Sequence, residues 1–274
     1  MRKFTLAIAI GLSAAAAHAE EMKMAVTTSF HNSGLAEVLL PEIKQDTGID
    51  VQLLVVGTGQ AIKLGEAGDV DAILVHAKAA EEAFVAAGHG THRREIMYND
   101  FVIVGPDADP AGVRDADDAA AALTAIESAS APFVSRGDDS GTHKKELSLW
   151  DAAGIKLDAD AEWYKSAGAG MGAALNTASG MNAYIMSDRA SWLNFGNKGD
   201  LALLFAGDPV LFNQYAYIPV DPGKGDYIKS DLAAELEGWL TSARAKALID
   251  GYRVAGEQLF TFNAQMTDAS KAAE

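Results

Sequence analysis

The stretch Phe133-Val-Ser-Arg-Gly-Asp-Asp-Ser-Gly-Thr-His-Lys-Lys-Glu146 decides the fold of this chain. It passes from a short strand through a polar, glycine-containing turn into a predicted helix, which is the repeating unit of α/β folds. Ser140, Gly141 and Thr142 lie where that helix begins. The first N–H groups of a helix lack partners and the helix dipole is positive there, so this turn is a candidate anion site.

Arg136 adds a charged, forked donor to the same turn, which strengthens the anion interpretation. The same residues also have a purely structural interpretation. Ser140 is a common helix cap, and Arg136 can pair with Asp138 or Asp139 on the surface. The residues of this stretch, taken alone, leave both interpretations open.

Two similar units precede this one in the chain. A strand predicted over Met22–Thr27 ends at Thr28 and Ser29, and a strand over Ile49–Val56 ends at Gly57-Thr58-Gly59. Each is followed by a helical pattern, so each again places hydroxyl groups at a helix start. The alternation predicts an α/β fold with a largely parallel sheet. The other predicted strands are Val70–His76, Tyr98–Gly105, Pro132–Val134, Ala183–Met186 and Val210–Val220. The other predicted helices are Ser33–Thr47, Gln60–Glu66, Ala79–Ala87, Asp115–Ala129 and Thr142–Ala153. One more helix is predicted from Ala173, and further helices between Asp231 and Phe262.

Residues 1–19 have the composition of a secretory signal peptide. Arg2 and Lys3 precede an apolar run over Phe4–Ala17, and Ala17-His18-Ala19 is a small-x-small cleavage site. The run is too short to be read as a transmembrane helix, and no second long apolar run follows. The sequence therefore predicts an exported, periplasmic protein.

The composition excludes several classes of function. The chain has 274 residues, of which 38 are acidic and 22 basic, so its formal net charge is −16. A nucleic-acid-binding protein needs the opposite sign, so nucleic acid is not an expected partner. The chain has no cysteine. This excludes disulfides, thiolate catalysis and cysteine-ligated metal centres.

In these polar turns and in several longer segments, the chain resembles the periplasmic substrate-binding proteins of tungstate ABC transporters. The resemblance covers about Met22 to Phe262. It is carried by Val26-Thr27-Thr28-Ser29, Ser33-Gly34-Leu35, Val56-Gly57-Thr58-Gly59, Gly68-Asp69-Val70-Asp71, Met97-Tyr98-Asn99-Asp100-Phe101-Val102-Ile103-Val104-Gly105-Pro106 and Ser135-Arg136-Gly137-Asp138-Asp139-Ser140-Gly141-Thr142-His143-Lys144-Lys145-Glu146.

The resemblance implies a two-lobed type II periplasmic binding protein fold with a ligand cleft between the lobes. Lobe 1 is expected over 20–103 and 208–274, and lobe 2 over 104–207, with a hinge near Val102–Pro106 and Ala206–Phe212. It further implies a monomer that delivers its ligand to an ABC permease, without enzymatic activity, cofactor or bound metal ion.

Carried over position by position, the resemblance implies oxyanion contacts at Thr28, Ser29, Thr58, Ser135, Arg136, Ser140, Gly141 and Thr142. The chain departs from the usual family pattern at three positions. Val26 stands where a threonine is usual, Phe30 replaces another threonine, and Asn32 replaces a common aspartate. Val26 is expected to point into the sheet, whereas the missing hydroxyl at Phe30 changes one side of the pocket.

The resemblance implies tungstate as the ligand, and the residues alone do not separate tungstate from molybdate. Sulfate and phosphate are alternatives within the same class. A phosphate pocket needs a carboxylate that accepts the proton of the ligand, for which Asp138 and Asp139 are the candidates. A second class is a secreted enzyme that acts on a phosphorylated or sulfated substrate, with Asp139 or His143 as its base.

Two further features of the sequence are relevant to the site. Gly168–Ala173 fits a loose dinucleotide-binding pattern, but a loop facing the cleft is the preferred interpretation, with Asn176 and Thr177 following on its helix. Arg189, which follows the strand at Ala183–Met186, is expected to form an intramolecular salt bridge.

Overall fold

The computed structural model describes residues 20–138, 140–158 and 161–265. The predicted signal peptide at 1–19 and the candidate base Asp139 therefore lie outside the described residues. Within those ranges, none of the helices is both long and apolar enough to span a membrane.

The elements alternate along the chain much as the sequence predicts. The strands are β1 (Glu20–Thr27), β2 (Ile49–Val56), β3 (Ala72–Val75), β4 (Arg94–Pro106), β5 (Phe133–Ser135), β6 (Tyr164–Ser166), β7 (Tyr184–Asp188), β8 (Leu201–Phe205), β9 (Phe212–Pro219), β10 (Arg253–Val254), β11 (Glu257–Gln258) and β12 (Thr261–Phe262). The helices are α1 (Thr28–Asn32), α2 (Leu35–Thr47), α3 (Thr58–Ala67), α4 (Lys78–Ala86), α5 (Ala119–Ser128), α6 (Gly141–Ala152), α7 (Met171–Met181), α8 (Arg189–Asn194), α9 (Ser230–Leu240) and α10 (Ala243–Gly251).

One half of the sheet has the strand order β2-β1-β3-β9-β4. β1 pairs in parallel with β2 and β3, so the turns after β1 and β2 come out at the same edge of the sheet. Helices α2, α9 and α10 cover one face, where Leu35, Leu236 and Ile249 are fully buried. Val26 is also fully buried in this core, so the prediction that it points into the sheet is confirmed.

The other half continues from β4 through β7 and β5 to β6, with β8 also paired to β4. β5 is parallel to both β6 and β7, so the turn after β5 reaches the edge where β7 also ends. Phe133 and Trp150 pack edge-to-face in its core, with ring centroids 5.1 Å apart. This core anchors the strand that leads into the deciding stretch.

The strand β4 connects the two halves. Its residues up to Asp100 pair with β9, and from Phe101 onward they pair with β7 and β8. The change of partner lies just before the predicted hinge segment at Val102–Pro106. The boundaries of the lobes and the hinge itself stay predictions.

Two secondary-structure predictions are wrong. The sheet is mixed rather than largely parallel, because β4 and β9 run antiparallel to their neighbours where they connect the halves. The helices predicted up to Phe262 end at Gly251. Ala255 and Gly256 have φ of 52° and 87°, so the chain turns there into the β10–β11 hairpin instead of continuing as a helix.

Candidate functional site

A cavity of about 280 Å³ lies between the two halves, where several helix starts meet. Of the predicted site residues, Thr28, Ser29 and Arg136 line it. The other lining residues are Asn32, Gly170, Met171, Gly172, Ala173, Asp188 and Ser191.

The turn after β1 is held by a network of hydroxyl groups. Thr27 caps α1, with its Oγ1 accepting a hydrogen bond from the Phe30 N–H at 3.3 Å. The Ser29 hydroxyl lies 3.0 Å from Thr27 Oγ1, 3.0 Å from His76 Nε2 and 3.2 Å from Tyr215 Oη. This network fixes the Ser29 side chain at the cavity wall. Phe30, in place of the usual threonine, is buried in the core and packs near Tyr215.

His76 is neutral in this network. Burial lowers its pKa to about 4, even though hydrogen bonds to its own backbone and to Asn213 work in the opposite direction. A neutral ring either donates to or accepts from the Ser29 hydroxyl through Nε2, depending on its tautomer. His76 therefore contributes polarity to the site without contributing charge.

The first turn of α6 contacts the opposite half of the molecule at Gly141. A Cβ atom added to Gly141 would lie 3.0 Å from His76 Cε1 and 3.6 Å from Thr58 Oγ1. Thr58 begins α3, so the starts of α3 and α6 face each other across the cleft. Glycine at 141 is what permits this close approach of the two halves.

Arg136 is almost fully buried, with 7% of its surface exposed. Its Nε donates to the Ala169 carbonyl at 2.9 Å, and its Nη2 donates to the Asp138 carboxylate. The other oxygen of Asp138 accepts from the Ser140 N–H at 3.2 Å. The alternative pairing of Arg136 with Asp138 is thus present, but between a buried arginine and a half-buried aspartate rather than as a surface salt bridge.

Asp138 remains ionised in this arrangement. Burial works to raise its pKa, but hydrogen bonds from Ser140 and Arg136 outweigh it and hold the pKa below the usual range. Both of its carboxylate oxygens accept hydrogen bonds from the protein. Asp138 consequently orients Arg136 and is not turned toward the cavity as an acceptor.

The remaining predicted site residues lie around the cavity rather than in its lining. Ser135 and Thr142 are buried, and Ser140 caps α6, with its Oγ accepting from the His143 N–H at 3.3 Å. The Glu146 carboxylate accepts hydrogen bonds from the Arg136 N–H at 3.3 Å and from the Tyr164 hydroxyl at 2.7 Å, and it thereby fixes the turn between β5 and α6. Contacts of Ser135, Ser140, Thr142, Thr58 and Gly141 with a ligand stay predictions.

The glycine-rich segment before α7 faces the cavity. The helix begins at Met171 after Gly170, and residues 170–173 belong to the lining of the cavity. The interpretation as a cleft-facing loop is confirmed. Asn176 and Thr177 instead bond to carbonyls of their own helix, at Gly172 and Ala173, and are exposed.

Three residues of the site escaped the sequence analysis. His76 directly follows the end of β3, Tyr215 is buried inside β9, and both meet Ser29 only through the fold. Asp188 ends β7 and caps α8, with its Oδ1 accepting from the Ser191 N–H at 2.8 Å. The strand–aspartate–helix pattern at 184–191 was the one available signal for Asp188.

Arg189, next to Asp188, forms the salt bridge that the sequence predicts. Its Nε and Nη2 each lie 2.6 Å from a carboxylate oxygen of Asp100. Asp100 is the last residue of β4 paired with β9, so this pair ties α8 to the point where β4 changes partners.

The arrangement is suited to binding an anion. The lining of one small cavity includes the buried Arg136, Ser29 and residues at the N-terminal ends of α1 and α7, together with Asp188. No cluster of three or more potential metal ligands occurs in the part of the chain that the structure describes.

Comparisons with known proteins identify relatives of this chain. The model of the PBP superfamily domain matches residues 13–244. The tungstate-binding protein TupA of Peptoclostridium acidaminophilum is 46% identical over 245 residues, covering 88% of this chain and 85% of the relative. That of Campylobacter jejuni is 34% identical, covering 86% of this chain and 89% of the relative.

Two solved structures are also similar. The tungstate-binding protein TupA from Desulfovibrio alaskensis G20 is 45% identical with a TM-score of 0.83, covering 90% of this chain and 100% of that one. The tungstate ABC transporter structure from Geobacter sulfurreducens is 47% identical with a TM-score of 0.78, covering 85% and 99%. The chain belongs to the PBP superfamily and, within it, to the family of these tungstate-binding proteins.

Proposed function

We propose that this protein captures tungstate in the cleft and delivers it to an ABC importer, without making or breaking a covalent bond. The observation that carries the proposal is the buried Arg136 guanidinium in a cavity that it shares with Ser29 and the start of α7. The relatives named for tungstate binding support the choice of ligand.

Asp138, a candidate acceptor for a phosphate proton, directs both oxygens to protein donors, but the Asp188 carboxylate also lines the cavity, so the lining alone does not separate tungstate from phosphate. Tungstate is preferred because of the relatives named for it. A fully deprotonated oxyanion has no proton to give, so it needs donors and no obligatory acceptor. Tungstate and molybdate both satisfy this condition, and their ratio of affinities is a matter for measurement.

Local donors are sufficient for tight binding despite the net charge of −16. A hydrogen bond to a charged group contributes about 1.5–3 kcal/mol, so six of them supply roughly 9–18 kcal/mol before ordering costs. Nanomolar affinity corresponds to about 12 kcal/mol. The negative field of the whole protein mainly slows encounter at low salt.

The proposal includes the finer expectations from the sequence. The protein is exported by its N-terminal signal peptide, acts as a monomer in the periplasm, and contacts a membrane permease. Thr28, Ser29, Thr58, Ser135, Arg136, Ser140, Gly141 and Thr142 are the proposed oxyanion contacts. The lobes 20–103 with 208–274 and 104–207 close on the ligand by a hinge.

Isothermal titration of the purified, dialysed protein tests the proposal. Tungstate, molybdate, sulfate and phosphate are injected in turn at moderate salt, and we expect tight tungstate binding with weak sulfate and phosphate binding. No heat with any of the four anions, confirmed by unchanged intrinsic fluorescence, would overturn it. Small-angle scattering with saturating tungstate should show compaction, and its absence would overturn the hinge.

A further inference from the structure

Asp188 has a buried carboxylate oxygen that lacks a partner. Only 1% of the surface of Asp188 is exposed, and its Oδ1 caps α8. Within the described residues, nothing is placed to hydrogen-bond Oδ2. A buried polar atom left unpaired is costly and calls for an explanation. Since Asp188 lines the cavity with Arg136, the missing partner is expected to come from the cavity.

The charge around Asp188 comes mainly from one cation. Burial raises the pKa of Asp188, and the field of Arg136 works to lower it. Arg189 is engaged with Asp100, and Tyr215 on β9 has a raised pKa to which Asp188 itself contributes. The titratable and charged groups on the surrounding elements are His31 on α1, His76 directly after β3, Asp100 on β4, Arg136 and Asp138 in the β5–α6 turn, Arg189 on α8 and Tyr215 on β9.

A bound dianion changes this balance. It takes up the same Arg136 charge that stabilises the Asp188 carboxylate, and it places further negative charge in the shared cavity. Like charges at close range disfavour the ionised form of a carboxyl group. An ionised Oδ2 facing an oxyanion would bring two acceptors together, whereas a protonated Oδ2 supplies one more donor.

We propose that Asp188 takes up one proton from solvent when the oxyanion binds, and that its Oδ2–H then donates a hydrogen bond to an oxyanion oxygen. The inference rests on the proposed function. The charge balance is simple: two negative charges enter with the dianion and one positive charge enters with the proton. Capture is therefore linked to pH through a residue that the sequence analysis did not identify.

The sign of the linkage follows from the direction of the change. The pKa of Asp188 is higher in the complex than in the free protein, so affinity is greatest below the free-state value. Affinity then falls as the pH rises between the two values, by up to about tenfold per pH unit. Above the bound-state value the affinity is constant again.

Proton counting by calorimetry tests this inference. Tungstate is titrated into the protein in buffers of different ionisation enthalpy, between about pH 6 and about pH 9, so that the slope of heat against buffer enthalpy gives the protons taken up. We expect an uptake that approaches one proton in the wild type and vanishes in Asp188→Asn. That variant retains the Oδ1 cap and offers an N–H donor in place of Oδ2.

Asp118→Asn is the matched control. Asp118 caps α5 in the same manner, with Oδ1 accepting from the Ala121 N–H at 2.7 Å, but it does not line this cavity. Its substitution should leave the proton count unchanged. If Asp188→Asn does not fold, Asp188→Ser replaces it, because serine also caps a helix and does not titrate.

The outcomes separate this inference from the proposed function. Tight tungstate binding without proton uptake at any pH in the range would overturn the role of Asp188 and leave tungstate capture standing. Uptake that persists in both Asp188 variants would also overturn it, because the proton would then enter elsewhere. A wild-type protein that binds none of the four anions would overturn the proposed function, and the inference with it.

Discussion

The contact at Gly141 leads to a sharp prediction for Gly141→Ala. In this structure, the added methyl group would lie 3.0 Å from His76 Cε1. Ordinary carbon–carbon contact needs about 3.5–4.0 Å, so one side must move by several tenths of an ångström. The His76 ring has little freedom, because it is held by Ser29 and packs on Tyr215 with ring centroids 4.8 Å apart.

The expected cost falls on ligand binding rather than on folding. Gly141 starts α6 in one half, whereas His76 follows β3 in the other, so opening the cleft relieves the clash. Overpacking by one methyl group costs about 1–3 kcal/mol, which corresponds to a tungstate Kd raised by about 5-fold to about 150-fold. The thermal midpoint of the ligand-free protein should stay close to that of the wild type.

Titration calorimetry and thermal unfolding measure the two effects separately. Gly59→Ala is the matched control, because Gly59 also lies in the first turn of a helix but a Cβ atom there meets nothing within 4 Å. In a His76→Ala background, the added cost of Gly141→Ala should disappear. An unchanged Kd for Gly141→Ala, or an equal cost with and without the His76 ring, would refute the reasoning.

Three more predictions concern the surrounding residues. Arg136→Ala should raise the tungstate Kd more than tenfold, since a hydrogen bond to a charged group contributes about 1.5–3 kcal/mol; an unchanged Kd in calorimetry would contradict the assigned cavity. Gly137→Ala should lower Tm, because Gly137 has φ of 59° and an added Cβ would lie 1.7 Å from Ser166 Oγ; calorimetric unfolding with an unaltered midpoint would disprove this. Burial lowers the pKa of His76 from 6.5 to about 4, so the unfolded chain binds more protons between these values, and stability present above pH 6.5 is lost as the pH falls toward 4. His76→Gln should flatten that slope in urea unfolding, and an unchanged slope would count against a neutral His76.

The parts of the site that the sequence predicts are those with a local signal. A strand followed by hydroxyl residues and a helical pattern identifies the turns at Thr28–Ser29, Thr58 and Ser135–Thr142. Parallel strands then bring such turns to one edge, which is why residues far apart in the chain line one cavity. The sequence shows that Phe30 stands where the family usually has threonine, but it does not show that Phe30 packs near Tyr215 in the core.

The parts that the sequence does not predict depend on pairing across the fold. Tyr215 lies in the interior of an apolar strand, and only the antiparallel pairing of β9 with β3 brings it to Ser29. The β10–β11 hairpin was predicted as helix because its apolar residues have no distinctive period, while the turn at Ala255–Gly256 is a backbone property. The local sequence pattern predicts that Asp188 caps a helix, whereas only the structure shows that its second carboxylate oxygen has no partner.

The strand β4 belongs to both halves of the molecule, because it pairs with β9 on one side and with β7 and β8 on the other. Met97 belongs to one core and Phe101 to another, although only three residues lie between them on one continuous strand. Cutting the chain between the halves would remove an inner strand from one of them. The strands β5–β8 of one half are contiguous in sequence. The half that begins with β1 is complete only when β9 and β12, which come late in the chain, have paired with its strands. A ribosome or a translocation channel that releases this chain from its N-terminus therefore releases the first half of the sheet early and completes it last.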